Sequence, residues 1–334
     1  MGDGLVAVIH DVAERLYAYS ELPAVRYNIL SRLMDVPYDD AELCALRAAF
    51  LESDIVEELY QAQDTQGGWG KLQSKGYAAK DTFPTSAVAI QRCLYIGLTP
   101  EDRDILCCAQ EYLEDFLKGT SREKFRPTNE RVIPWMTAEV CRLLEAIQAY
   151  NVLCDRTYDE WLYIAARSYE GGEYDYERER AAQHEVFWTR EDRLVPMQTE
   201  FLLKRRERVS PSLEEAMLRH HGQRTYTHGH MWSDCPPVKL PEQFVYKYTR
   251  RWFHAFNYIN QFRGSALYLA EAVAWLLDNR NADGLWDWGT QVKDPWGYFG
   301  YFAVGRQTVQ SRVVDCTMEV LKFLKTYADQ NNIM

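Results

Sequence analysis

Strand signals are almost missing from this chain of 334 residues, because Val, Ile and Thr rarely alternate with polar neighbours. That argues against a β-sandwich or barrel. No apolar run approaches the length of a membrane span, and residues 1–10 lack the basic head and apolar core of a signal peptide. No Pro-, Gly- or Ser-rich stretch reads as a linker, so one large domain over residues 1–334 is expected, with the helices of about residues 1–50 at its periphery. Basic residues are the minority. The net charge is −11, which argues against nucleic acid as a partner. The run Lys204-Arg205-Arg206-Glu207-Arg208 is the exception and reads as a solvated helix end. There is no CxxC among the eight cysteines. Most lie in apolar helical runs as small buried hydrophobes, a reduced pattern that points to the cytoplasm. P-loop, G-x-G-x-x-G, G-x-S-x-G and H-E-x-x-H signatures are all missing.

What is present is helical periodicity. Helices are expected at about 4–18, 24–34, 40–50, 52–63, 84–97, 101–117, 134–151, 155–168, 195–206, 211–221, 244–260, 264–279 and 308–327. Gly97 closes one helix, and Thr99 and Pro100 read as the cap and first turn of the next. Ser210 and Pro211 repeat that device. Long loops are expected at about 64–83, 118–133, 169–194, 222–243 and 280–307, and loops of that size are often functional. Aromatic residues are abundant, with 22 Tyr, 13 Phe and 10 Trp, and many fall in these loops as if to line a cleft.

A spaced pattern recurs. Gln63-Asp64-Thr65-Gln66-Gly67-Gly68-Trp69 reads Q-x3-G-x-W, and Arg280-Asn281-Ala282-Asp283-Gly284-Leu285-Trp286 reads R-x3-G-x-W. Arg167-Ser168-Tyr169-Glu170-Gly171-Gly172-Glu173, followed by Tyr174, is a degenerate third copy. Each follows a helix and leads by a loop to another. A Gly past a helix end supplies a left-handed turn, and a Trp after it can fold back and staple the turn to the next element. Hairpins joined this way bury their shared apolar faces only when stacked.

The pattern resembles the QW repeat of squalene-hopene and oxidosqualene cyclases, whose fold relatives include the β subunits of protein prenyltransferases. The resemblance implies an all-α fold, a single (α/α)6 toroid of paired helices with long loops at one end. It also implies a cyclase- or transferase-like enzyme acting on a small apolar or isoprenoid molecule in an aromatic-lined central cavity. The catalytic motifs of those families do not carry over. There is no D-x-D-D and no D-D-x-x-D; Asp35-Val36-Pro37-Tyr38-Asp39-Asp40 departs from the latter and reads as a loop and helix cap.

Candidate site residues follow from position. Glu139, Glu200 and Asp315 stand near the starts of the expected inner helices, where carboxyls can move a proton or stabilise a cation. Trp69, Trp286 and Trp288 offer aromatic faces for a substrate. Arg250, Arg251 and Arg312 offer guanidinium forks for an anionic group. His228, His230 and Cys235 form the nearest approach to a zinc set, although their spacing follows no zinc pattern and Asp315-Cys316 is adjacent rather than D-x-C. Two other functions are compatible with such a fold. One is a carbohydrate-active hydrolase or lyase with paired carboxylates. The other is a non-catalytic toroid that binds a protein partner through its loop face.

Overall fold

The structure, a computed structural model, describes residues 2–72, 83, 85–120, 133–188, 196–223, 240–289, 301–302 and 308–333. Among these, fourteen α-helices and no strand are found. The helices are α1 (Gly2–Tyr19), α2 (Pro23–Asn28), α3 (Ala41–Leu51), α4 (Asp54–Ala62), α5 (Ser86–Ile96), α6 (Ile105–Lys118) and α7 (Ile133–Ile147). They continue as α8 (Asp155–Ser168), α9 (Tyr176–Phe187), α10 (Pro196–Lys204), α11 (Pro211–Gln223), α12 (Tyr246–Ile259), α13 (Ala266–Asp278) and α14 (Val309–Gln330). A π-turn, Ile29–Leu33, extends α2. No described helix is long and apolar enough to cross a membrane.

The chain forms two compact units, Met1–Glu57 with His221–Met334, and Glu58–His220. In the first, α14 packs against α1, α13 and the π-turn, and α12 packs on α13. Helix α14 is buried nearly all round through Val313, Val314, Cys316, Met318, Val320, Leu321, Phe323 and Leu324. A helix apolar on most faces belongs at the centre of its unit. In the second unit, α7 is the hub and packs against α5, α6, α8 and α10.

Thirteen of the fourteen helices coincide with the expected ones. The exception is α9, which falls inside the span expected as a loop at 169–194. Its sequence, Tyr-Glu-Arg-Glu-Arg-Ala-Ala-Gln-His-Glu-Val-Phe, carries charge on most faces and so shows no apolar stripe. A capping signal was present instead: the Asp175 carboxylate accepts the N–H groups of Glu177 (2.9 Å) and Arg178 (3.1 Å).

Two local expectations are corrected. Thr99 does not cap α6. The carboxylate of Asp102 accepts the Thr99 N–H at 2.6 Å and its hydroxyl at 2.8 Å, so the Thr99–Asp102 stretch closes on itself and the helix starts at Ile105. The run at 204–208 is also not uniformly solvated. Arg205 is buried and engages Glu145, Asp155 and the Asn151 carbonyl. Asp40 does cap α3, accepting from Glu42 and Leu43, and Ser210 accepts from Leu213 at the start of α11.

Candidate functional site

The two G-x-W turns carry the same hydrogen bonds. At the first, Asp64 N–H donates to the Gly68 carbonyl (2.8 Å), and Gly67 N–H donates to the Asp64 carbonyl (2.9 Å). The Asp64 carboxylate accepts Gln66 and Gly68 N–H. At the second, Asn281 N–H donates to the Leu285 carbonyl (2.7 Å) and Gly284 N–H to the Asn281 carbonyl (3.0 Å). The Asn281 side-chain oxygen accepts Asp283 and Leu285 N–H. Each indole N–H reaches back ten residues to the preceding helix, Trp69 to the Leu59 carbonyl (2.9 Å) and Trp286 to the Leu276 carbonyl (2.7 Å). Each Trp backbone N–H goes forward to a hydroxyl on a later helix, Ser86 of α5 (2.8 Å) or Thr317 of α14 (3.0 Å).

Both turns need their glycine. Gly67 has φ +83°, and a Cβ there would fall 2.1 Å from the Cys108 carbonyl oxygen. Gln63 adds a clasp, donating to the Gly67 and Ile105 carbonyls at 2.9 Å each. The segment Arg167–Tyr174 turns differently. Asp175 N–H returns to the Ser168 carbonyl, and the Tyr174 ring stacks on His220 at 4.1 Å. Trp69 is 4% exposed and Trp286 0%, so both stand as structural staples inside their own units.

Helix α14, the first unit's central helix, carries a row of ionisable groups. Arg312, Asp315, Glu319 and Lys322 recur at three- and four-residue steps and therefore share one face. The stretch Trp286–Gly289 lies along the start of that helix. Thr317 Oγ1 accepts from Trp286 N–H and donates to its carbonyl, and Arg312 grips Asp287 in a two-bonded fork at 2.6 and 2.7 Å. Asp315 is 5% exposed, and one of its oxygens accepts the Phe302 N–H at 2.9 Å. Glu319 accepts from Asn257 of α12 at 3.0 Å. Lys322 places its ammonium 5.8 Å from the Phe302 ring centre. Behind this face stands an aromatic core. Phe253 packs on Trp288 (6.3 Å) and Phe323 (5.5 Å), and Trp252 packs on Trp275 (5.1 Å).

Electrostatics mark this face as unusual. Burial pushes the Lys322 ammonium well below its ordinary value, the positive charge of Arg32 adds to that, and Glu319 opposes it. Yet Lys322, like Arg312 and Glu319, keeps some accessible surface while the rest of the α14 midsection is closed. Asp287 is shifted the other way. The Arg312 fork, and less so the Gly289 N–H, hold its carboxyl below the ordinary range.

A pH dependence follows. A carboxyl with a lowered folded-state pKa stabilises the fold above its unfolded value, about 3.9 for Asp, and loses that contribution as pH falls through the lowered value. Arg312→Met is therefore expected to cost roughly 1–2 kcal/mol at neutral pH, the scale of a charge-assisted bond to a partly buried group. Urea midpoints of the two proteins should converge as pH drops from about 5 to about 2. A constant gap across that window would show that the fork is not the source of the loss.

In the second unit the structure brings together two of the candidate carboxylates. Glu139 of α7 is buried and receives both arms of Arg142, at 2.7 and 2.8 Å. The other side of that guanidinium stands 3.9 Å from Glu200 of α10. Lys204, one turn beyond Glu200, is held below its ordinary value, first by desolvation and then by Arg142, although the residue keeps exposed surface. Sequence reasoning found both carboxylates but missed the arginine between them and the lysine beside them. The i, i+3 step from Glu139 to Arg142 was the available signal.

The remaining candidates lie apart. Trp288 is buried beside α14, where its backbone N–H bonds the Cys316 sulfur. The side chains of Arg250 and Arg251, although on α12, lie outside the described residues, as do His228, His230 and Cys235 entirely. Among the described residues no group of three or more His, Cys, Asp or Glu side chains is placed to hold a metal ion. Compared with protein-family models, with curated proteins and with solved structures, the chain matches none.

Proposed function

We propose that the chain is an enzyme acting on an apolar, isoprenoid-like substrate held against the accessible face of α14. One observation carries the reading: four ionisable side chains share one face of a helix whose midsection is otherwise buried and largely apolar. Holding charged groups there costs stability, and such groups concentrate where chemistry needs them. Phe302 and Trp288 border the row with aromatic surface. Asp315 is the group assigned to deliver or accept a proton, being the least accessible carboxyl of the row and held in place by the Phe302 N–H. Arg312, fixed by Asp287, positions the start of the row. The two G-x-W turns support a kinship in construction with the cyclase and prenyltransferase toroids, and the ring arrangement itself stays part of this proposal.

The test pairs binding with turnover. Purified protein is titrated with farnesol and squalene while tryptophan fluorescence and native mass are followed, and product is sought by gas chromatography. Binding with conversion is expected, and Asp315→Asn is expected to keep binding while conversion falls by about 10²–10⁴-fold, the usual worth of a general acid. Absence of isoprenoid binding, with binding of oligosaccharides instead, would replace this reading by the carbohydrate one. Binding without conversion by the unaltered protein would remove the catalytic part.

A further inference from the structure

Two thiols meet inside the second unit. Cys141 lies in the middle of α7, and Cys154 stands directly before the first residue of α8. Both are free and fully buried. The Cys154 sulfur lies 4.0 Å from the Cys141 carbonyl oxygen, and the two thiols share a hydrogen bond. Neither has a part in the chemistry proposed for α14.

Their neighbours already clasp the same two elements together. Glu145, one turn beyond Cys141 on α7, receives the Arg205 guanidinium at 2.8 Å. That guanidinium also holds the Asn151 carbonyl (3.1 Å) and Asp155 (2.6 Å), which flank Cys154. A disulfide between Cys141 and Cys154 would run beside this ionic clasp as a covalent one.

We propose that Cys141 and Cys154 are a redox switch: a hydroperoxide joins them in a disulfide that locks the start of α8 to α7. The electrons balance. One thiolate attacks a peroxide oxygen, the O–O bond breaks, and the sulfur becomes a sulfenic acid. The second sulfur attacks the first, the S–O bond breaks, and the disulfide forms. The two sulfurs give up the electron pair that the peroxide gains, and the two thiol protons end on the departing oxygens.

The packing sets when the switch acts. The hydrogen bond to Cys141, and then burial, push the Cys154 thiol well above its ordinary value. The closed pair therefore holds almost no thiolate and is inert. Reaction follows opening of the segment 148–154, whose outer side carries exposed Ala149, Tyr150 and Val152. Asn151 ties that segment down, donating to Glu114 at 3.0 Å while its carbonyl is held by Arg205. The rate of bridging thus follows how often these ties release.

The experiment exposes the full chain to hydrogen peroxide, blocks the remaining thiols with N-ethylmaleimide and maps unreduced peptides by mass spectrometry. A Cys141–Cys154 bridge is expected. The oxidised protein should melt roughly 5–10 °C higher, the size for closing a loop of this length in a unit of this size, and dithiothreitol should reverse the gain. Cys141→Ala and Cys154→Ser should each lose both the bridge and the gain. Arg205→Met should bridge at least about tenfold faster, the factor that losing one tie supplies in opening. Glu114→Ala releases the Asn151 side chain alone and should also bridge faster, which keeps the test open if Arg205→Met does not fold. Exposed Cys44 is the control and should react at one rate in all variants. Oxidation of the other cysteines without this bridge would overturn the switch, as would a bridge that lowers the melting point. Equal bridging rates in the parent and Glu114→Ala would overturn its control by the 148–154 segment.

Discussion

Arg205→Met is expected to lower the free energy of unfolding by roughly 3–5 kcal/mol, the scale for breaking a buried ion pair from one side. The guanidinium is 5% exposed and its partner Glu145 is fully closed off. Its Nε donates to Glu145 at 2.8 Å, its other nitrogens bond Glu145 again, Asp155 at 2.6 Å and the Asn151 carbonyl at 3.1 Å. The rings of Tyr150 and Tyr158 lie 4.6 and 5.1 Å from its centre. Removing the cation leaves a carboxylate in the interior with no counter-charge, and its second oxygen already has no hydrogen-bond partner. Asp155 is partly exposed and can turn to water, so its share of the loss is small.

The same argument says what should rescue the protein. A buried pair contributes little net stability against apolar groups of similar volume, because both charges are desolvated. The double variant Glu145→Leu with Arg205→Met should therefore recover most of the loss of the single one. Urea unfolding followed by circular dichroism measures both. A single-variant cost under about 1 kcal/mol would be that of a surface pair and would refute the burial argument.

Arg205 also shows where sequence reading reaches its limit. It sits in a run of four basic residues within five positions, which by composition belongs on a surface. Nothing local reveals that Glu145, sixty residues earlier, waits for it. Helices were legible because apolar periodicity is a local signal, and α9 escaped because its buried face is made of Ala182, Gln183 and Glu179 rather than of large apolar residues. The G-x-W spacing was legible for a related reason: glycine and tryptophan each have one mechanical use in such a turn. Lys322 was not, since a lysine between Leu321 and Phe323 looks like any solvent-facing position of an amphipathic helix. Its setting beside Arg32 and Phe302 comes from segments that its own stretch does not contain. Asp315 and Arg312 could be placed at the start of the last helix, but the Asp287 fork that orients Arg312 depends on how the Trp286 turn folds back.

That turn supplies the second large effect. Trp286→Ala is expected to cost roughly 3–5 kcal/mol, the range for emptying a buried aromatic site. Trp286→Phe isolates the indole N–H. Most of the ring's bulk remains, but the 2.7 Å bond to the Leu276 carbonyl is gone, at about 1–2 kcal/mol. Because Trp69 makes the corresponding bond to Leu59 at 2.9 Å, Trp69→Phe should show a loss of the same sign and similar size. Trp188, 83% exposed, is the control, and its replacement by Ala should stay within about 0.5 kcal/mol. The two staples differ in what they hold. Trp286 carries Asp287 and Trp288 on its own strand of chain, so loosening it should also release the Arg312 fork and flatten the acid dependence described above. Trp69 has no such neighbour, and Trp69→Phe should leave that acid profile intact. Equal losses of stability with unequal effects on the acid profile would establish that one turn serves only the scaffold and the other also sets the polar face of α14. A Trp286→Phe variant as stable as the parent would show that the indole bond contributes nothing to holding the turn.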